Sequence, residues 1–139
     1  IWLIICVGFT VILNLIMLFK FVKIVVFVPV THAGVVRAAL AESGAGHIGN
    51  YDFCSFSVRG VGRFRPLKGS KPFIGEAVKD SISDADGGQT SQAGKIEEVE
   101  EEKIETICPA GKLDEILATV KKVHPYEEPA IDVYPLLNS

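Results

Sequence analysis

The C-terminal stretch HPYEEPAIDVYPL, residues 124–136, constrains the fold more than any other part of the sequence. His124, Glu128 and Tyr134 each precede a proline, and a residue in that position is pushed out of the helical region towards extended geometry. A helix that reaches this stretch must therefore end near Val123, and the chain must continue extended into a final strand. Metal and acid–base sites use the same residue types, so a reactive site is the second interpretation of this stretch.

The pattern before this stretch predicts two units of strand, helix and strand. Residues 23–30 form a short β-branched run typical of a buried strand, and a helix is predicted from Thr31 to the glycines at 44 and 46. Residues 51–58 alternate as a strand, with Cys54 predicted to be a small buried hydrophobe. The glycines that follow, in residues 59–65, predict a turn into a second short extended piece.

The second unit follows a polar segment. Residues 103–109 alternate as a strand, and the helix predicted over residues 111–123 has apolar residues at i, i+3, i+4 and i+7. Residues 130–136 are predicted to form the closing strand of this unit. Two such units build an α+β, ferredoxin-like βαββαβ sandwich, with the helices on one face of an antiparallel sheet.

Residues 1–19 carry no charge, and as a helix they would be about 28 Å long, close to the hydrocarbon thickness of a bilayer. We therefore predict an apolar helix before the sandwich and divide the chain into residues 1–22, a candidate membrane anchor, and a domain at 23–139. Lys20 and Lys23 come directly after the apolar run, so the positive-inside rule places the domain in the cytoplasm. The open alternatives are an upstream extension, a buried helix, and a strand-like run in a partner's core.

Three further features are interpreted as structural. Gly44 to Gly49, GAGHIG, matches a dinucleotide-binding motif, but a helix precedes it and a strand follows, so we expect it to end the helix and turn the chain. The Gly-, Ser- and Asp-rich segment at about 80–95 is predicted to be a flexible loop. The five glutamates within residues 97–102 are predicted to form a solvated face.

Charge and cysteine content exclude some classes of protein. A net charge of −3 gives no indication of a nucleic-acid partner. The three widely spaced cysteines favour neither a disulfide framework nor a zinc site, as expected for a reduced, cytosol-facing domain.

The candidate metal ligands are His124, Glu127 and Glu128, which could bind a divalent ion. In the structural alternative His124 caps the C-terminus of the preceding helix, and the glutamates lie in a solvated turn or pair with neighbouring cations. No catalytic residue is predicted, and no cofactor beyond this candidate ion.

Five motifs, GAGHIGNY, CSFS, G-x-FRPL-x-G, PFIG and HPYEEPA, resemble the CutA/PII-like domain inserted in the NGG-interacting-factor-three-like proteins of the YqfO type. The resemblance covers residues 23–79 and 95–136. It implies a ferredoxin-like fold that assembles as a homotrimer, with strands of neighbouring subunits extending each sheet. It also places the family's two metal ions in a flanking domain, whose ligands have no counterpart among His32, His47 and His124.

The resemblance and the motifs together predict a non-enzymatic, trimeric module for assembly or for sensing a small ligand or divalent ion in clefts between subunits. Arg63, Arg65 and Tyr126 are the candidate ligand contacts. The alternative is a metal-dependent hydrolase related to the same family, with His124 and Glu127 or Glu128 binding a catalytic ion. It would need more ligands than the sequence pattern places together, since catalytic zinc usually takes three protein ligands.

Overall fold

The computed structural model describes residues 18–74 and 95–138. Their four strands form a single sheet in the order β2-β3-β1-β4, with antiparallel neighbours throughout. Both helices begin directly after a 3₁₀ turn, the first at Val30–His32 and the second at Ala110–Lys112. The elements are β1 Phe21–Pro29, α1 Ala33–Glu42, β2 Phe56–Phe64, β3 Glu97–Pro109, α2 Leu113–Val123 and β4 Ile131–Pro135. The predicted α+β, ferredoxin-like sandwich is confirmed.

The core lies between the sheet and the two helices. Every second residue of the central strand β1 is buried on this side, and Ile104 and Cys108 continue the same face on β3. The helices contribute the apolar stripe that their spacing predicts. The largest fully buried members are Val22, Ile24, Val26 and Val28 of β1, Ile104 and Cys108 of β3, Val36 of α1, and Ile116 and Val120 of α2.

The proline-rich tail enters the sheet as predicted. β4 pairs with β1 from Val26 opposite Ile131 to Val22 opposite Pro135. A further hydrogen bond, from the Phe27 N–H to the Ala130 carbonyl at 3.1 Å, extends the pairing to the residue just before β4. The residues after the last helix therefore serve to place the final strand along the edge of β1.

The first strand begins at Phe21, before the predicted start at Lys23. Phe21 and Val22 pair with Pro109 and Cys108 of β3, and Val22 also pairs with Pro135 of β4. Neighbours on both sides extend the strand beyond the β-branched run. The division into 1–22 and 23–139 stays a prediction.

The predicted glycine turn at residues 59–65 is wrong, because Gly60 and Gly62 lie inside the continuous strand β2. The prediction that Cys54 is buried is also wrong, since it precedes the strand and is half-buried. Phe56 and Val58 are 65% and 49% exposed. The physical reason is the register: Phe56 and Val58 pair with Glu105 and Lys103, on the sheet face opposite the helices, and they lie in a strand at the edge of the described sheet.

The glycines that follow α1 have the predicted capping and turning role. Gly44 and Gly46 have φ of 109° and 76°, in the region that favours glycine. A side chain on Gly46 would overlap the backbone of Cys54, and the Cys54 N–H donates to the Gly46 carbonyl at 2.9 Å. Gly46 is therefore needed for close backbone packing, and Gly44 for its left-handed backbone conformation.

Most of the predicted apolar N-terminal helix, and residues 80–94 of the predicted loop, lie outside the described residues. Among the residues that the structure does describe, no helix has the length and apolar character needed to span a bilayer.

Candidate functional site

The site predicted from the tail is centred on His124. Helix α2 ends at Val123, and His124 has an extended backbone, with φ −73° and ψ 131°, while its N–H still donates to the Val120 carbonyl at 2.9 Å. Pro125 accounts for this change of conformation. The ring then turns back onto the sheet, where Nε2 lies 2.8 Å from the carbonyl oxygen of Phe27.

Both ring nitrogens of His124 have backbone partners. The Tyr126 N–H donates to Nδ1 at 3.1 Å, so Nε2 must carry the proton that is donated to Phe27. This arrangement requires the neutral imidazole. Burial lowers the pKa of His124, partly offset by the bond to Phe27 and the charge of Glu101 and reinforced by nearby His32.

Tyr126 connects the tail to β3. Its O–H donates to Glu101 Oε1 at 2.7 Å, and burial first, then the bond to Glu101, raises the pKa of this phenol above its ordinary value of 10. Its ring centroid lies 5.1 Å from that of His124, 6.3 Å from Phe64 and 6.4 Å from Phe73. We call these five residues (His124, Tyr126, Glu101, Phe64 and Phe73) the tail cluster.

Segment 71–74 covers one side of the tail cluster. The Phe73 ring also packs edge-on against His32, with centroids 5.3 Å apart. Nearby, the backbone N–H of Lys71 donates to Glu127 Oε2 at 2.8 Å. The segment after β2 is thus joined to the tail through one aromatic contact and one charge-assisted hydrogen bond.

Gly62 of β2 makes room for Glu101. A Cβ at this position would overlap the Glu101 carboxylate, whereas a Cβ at Gly60 would meet nothing within 4 Å. The absent side chain at Gly62 therefore lets Glu101 lie across β2 and reach Tyr126.

The structure brings together some of the predicted site residues and separates others. Arg63 Nε donates to Glu98 Oε1 at 2.8 Å, with both side chains exposed. Arg63 precedes Phe64 in β2, so its side chain lies on the sheet face opposite the Tyr126 contact. Arg65 is exposed beyond the strand end. The two arginines and Tyr126 do not form one site, and their role as ligand contacts stays a prediction.

The predicted metal ligands are adjacent in sequence but differ in their surroundings. His124 is buried with both nitrogens bonded, whereas Glu127 and Glu128 are exposed. Residues 18–74 and 95–138 contain no group of three His, Cys, Asp or Glu side chains placed to hold a metal ion. A metal at His124 would have to displace one of its two hydrogen bonds, and the metal site stays a prediction.

Sequence reasoning missed a buried ion pair. Glu102 is only 7% exposed, and its carboxylate accepts from Arg37 of α1 and lies 3.7 Å from Arg59 Nε of β2. The prediction of a solvated face is therefore wrong for Glu102. Strand alternation could have found it, because Glu102 shares the helix-covered face with Ile104.

Comparison with known proteins identifies relatives by sequence and by structure. No protein-family model matches the chain. A protein of Halalkalibacterium halodurans named GTP cyclohydrolase 1 type 2 homolog is 48% identical over 116 residues, which are 84% of this chain and 27% of that protein. The homologue of the same name in Bacillus subtilis is 42% identical over 82% of the chain and 26% of its own length. The chain thus spans about a quarter of the length of the relatives that it matches.

Solved structures agree with the sequence matches. A Bacillus cereus protein related to NIF3 aligns at a TM-score of 0.66 with 44% identity, over 86% of this chain and 26% of that one. The divalent cation tolerance protein CutA of Archaeoglobus fulgidus aligns at a TM-score of 0.54 with 18% identity, over 86% of each chain, which shows a shared fold. By sequence and by fold, most of this chain is therefore homologous to about a quarter of the length of these relatives, among them a NIF3-related protein, and it shares its fold with CutA.

Proposed function

We propose that this domain is a non-enzymatic, trimeric module that serves assembly and the sensing of a small ligand. The observation that carries the proposal is the outer edge of β2. Phe56, Val58 and Val61 are 65%, 49% and 51% exposed on a strand whose outer side has no neighbour in the described part of the chain. An exposed apolar edge strand is a surface for pairing with another chain.

The two faces of β2 contribute unequally to this surface. Phe56 and Val58 pair with Glu105 and Lys103, on the sheet face opposite the helices, whereas Val61 lies on the other face. Two large apolar side chains lie on one face, beside a row of backbone groups that have no strand partner among residues 18–74 and 95–138. This combination favours strand addition from a second copy together with apolar contact. In a closed ring of three copies, each β2 edge would be covered by a neighbouring copy.

The bonding of the tail cluster supports a structural role for the tail. Both nitrogens of His124, the hydroxyl of Tyr126 and one oxygen of Glu127 have partners within the chain. These are the residue types that a hydrolytic centre would use, and here they fix the start of β4. We therefore favour a module over a metal-dependent hydrolase.

Light scattering on the purified chain tests the assembly. We expect three times the 15.0 kDa mass of one chain at micromolar concentration. A species of one chain mass that persists up to 100 µM would contradict the trimer.

The competing hydrolase hypothesis is tested by zinc titration in a calorimeter. We expect no stoichiometric heat from the wild-type chain. A one-to-one binding isotherm that disappears in His124→Ala would favour a metal site in the tail and would revive the hydrolase hypothesis.

A further inference from the structure

A cleft of about 370 Å³ lies between α1 and the segment of residues 53–55. Ala41 and Ala45 supply an apolar wall, and Thr106 of β3 contributes to the lining. Arg37 and Phe53 are the charged and aromatic members of the lining. Its volume falls within the range of pockets that hold small organic molecules.

Phe53 has a left-handed backbone, with φ of 56°, although its side chain is 57% exposed. A bulky residue rarely adopts this conformation, which glycine would accept without strain. The next residue is held by two bonds, from the Cys54 N–H to Gly46 and from the Thr106 hydroxyl to the Cys54 carbonyl at 2.8 Å. The fold thus retains a strained backbone that presents an aromatic ring at the cleft, although core packing does not require that ring.

Arg37 is the charged group on the polar side of the cleft, and among the described residues only its Nη1 has a hydrogen-bond partner, Glu102. A guanidinium has five N–H groups arranged to bind a planar anion, so the other nitrogens of Arg37 can donate to a ligand. Ser55 adds a hydroxyl to the lining.

We infer that this cleft binds a small organic carboxylate with an apolar body. Arg37 and Ser55 donate to the carboxylate, and the apolar part packs between Phe53 and the wall formed by Ala41 and Ala45. The inference rests on the small-ligand part of the proposed function and does not depend on trimer formation.

Phenylacetate is a probe with the required charge and size. The full chain is titrated with it at pH 7.5, and backbone amide shifts are followed by NMR. We expect saturable shifts at Arg37, Phe53 and Ser55, with at least fivefold weaker binding of the neutral phenylacetamide. No shift at 10 mM, equal binding of the amide, or shifts confined to other residues would each overturn the inference.

Two variants separate binding from folding. Phe53→Gly relieves the backbone strain and removes the ring, so we expect an unchanged or higher denaturation midpoint together with at least fivefold weaker phenylacetate binding. Arg37→Lys keeps a cation near Glu102 but loses the planar fork, and we expect about tenfold weaker binding. Lys122→Gln, on the exposed end of α2, is the matched control and should bind as the wild type does.

Unchanged binding by Phe53→Gly and Arg37→Lys would overturn the inference even if phenylacetate shifts the spectrum. Light scattering of the same samples separates this failure from a failure of assembly. If the chain is a trimer that does not bind phenylacetate, the assembly proposal stands and the inference about the cleft is wrong. If the chain is a monomer that binds phenylacetate through Arg37, the inference about the cleft stands and the trimer proposal is wrong.

Discussion

The imidazole of His124 donates from Nε2 to the carbonyl of Phe27 at 2.8 Å, across 97 positions of the chain. Phe27 also donates its N–H to Ala130, at the point where the pairing of β1 with β4 begins. In a regular antiparallel ladder the opposite strand supplies the donor for such a carbonyl. Here the side chain of His124 supplies it, so the end of α2 is fixed to the strand that β4 joins.

Replacing His124 by alanine should destabilise the fold by about 2 kcal/mol, because it removes a buried side chain and leaves the Phe27 carbonyl and the Tyr126 N–H without their partner. Urea denaturation followed by circular dichroism measures the change. Glu128→Gln alters an exposed neighbour and should stay within about 0.5 kcal/mol of the wild type. A loss of stability of less than about 0.5 kcal/mol for His124→Ala would contradict the role of His124 in fixing the end of α2 to β1.

Stability should fall as the pH falls below about 6.5, the ordinary pKa of histidine. Burial lowers the pKa of His124 in the folded state, despite the opposing effects of Phe27 and Glu101, and His32 lowers it further. Between the two pKa values the unfolded chain binds more protons, so acid favours unfolding, whereas above 6.5 the stabilisation is complete.

Urea midpoints at pH 7.5, 6.5 and 5.5 measure this dependence. The His124→Gln variant retains the other histidines and should show a flatter profile over the same range. Equal slopes for the two proteins would show that His124 is not the titrating group.

Tyr126 should not ionise below pH 11, because burial and the bond to Glu101 raise the pKa of its phenol. The chain has three tyrosines, so absorbance at 295 nm should show fewer than three ionising at that pH. Tyr126→Phe should leave the titration curve below pH 11 unchanged. A curve reduced by one third in the variant would place Tyr126 in solvent.

Gly62→Ala should cost about 1 kcal/mol, since the added methyl group displaces the Glu101 carboxylate and so removes its hydrogen bond from Tyr126. Gly60→Ala is the matched control in the same strand, where a Cβ meets nothing within 4 Å. Chemical denaturation of both variants measures the difference. Equal stabilities would show that Glu101 moves freely and that the bond to Tyr126 contributes little.

Val58→Glu should convert the trimer to a monomer, because it places a charge on the apolar face of β2 that we propose to be the subunit contact. Ser57→Glu adds the same charge on the opposite face of the strand and should keep the assembled mass. Light scattering of both variants measures the effect. A trimeric Val58→Glu would place the contact elsewhere.

Local patterns were sufficient to predict most of the fold. The i, i+3, i+4 and i+7 spacing of Leu113, Ile116, Leu117 and Val120 predicts α2, and the prolines after His124 predict its end and the following strand. A proline restricts the backbone of the residue before it, and the apolar spacing defines the face of the helix that packs on the sheet. Both effects depend on residues close in sequence, so they can be read from the sequence. The glycines after α1 were predicted correctly for the same reason.

Features that depend on contacts distant in sequence were not predicted. Gly60 and Gly62 indicate a turn locally, but pairing with β3 keeps both in a strand, and the open position at Gly62 is explained only by Glu101. Likewise, the burial of Glu102 depends on Arg37 from another element. These residues can be read from the sequence, but the pairing register of the strands, which brings them together, cannot.

The nitrogen NMR spectrum of the His124 ring distinguishes a structural role of the tail from a reactive site. For the structural role we expect, at pH 7.5, a neutral ring protonated at Nε2, with both nitrogen shifts unchanged by one equivalent of zinc. A ring protonated at Nδ1, or a zinc-dependent shift of either nitrogen, would contradict it.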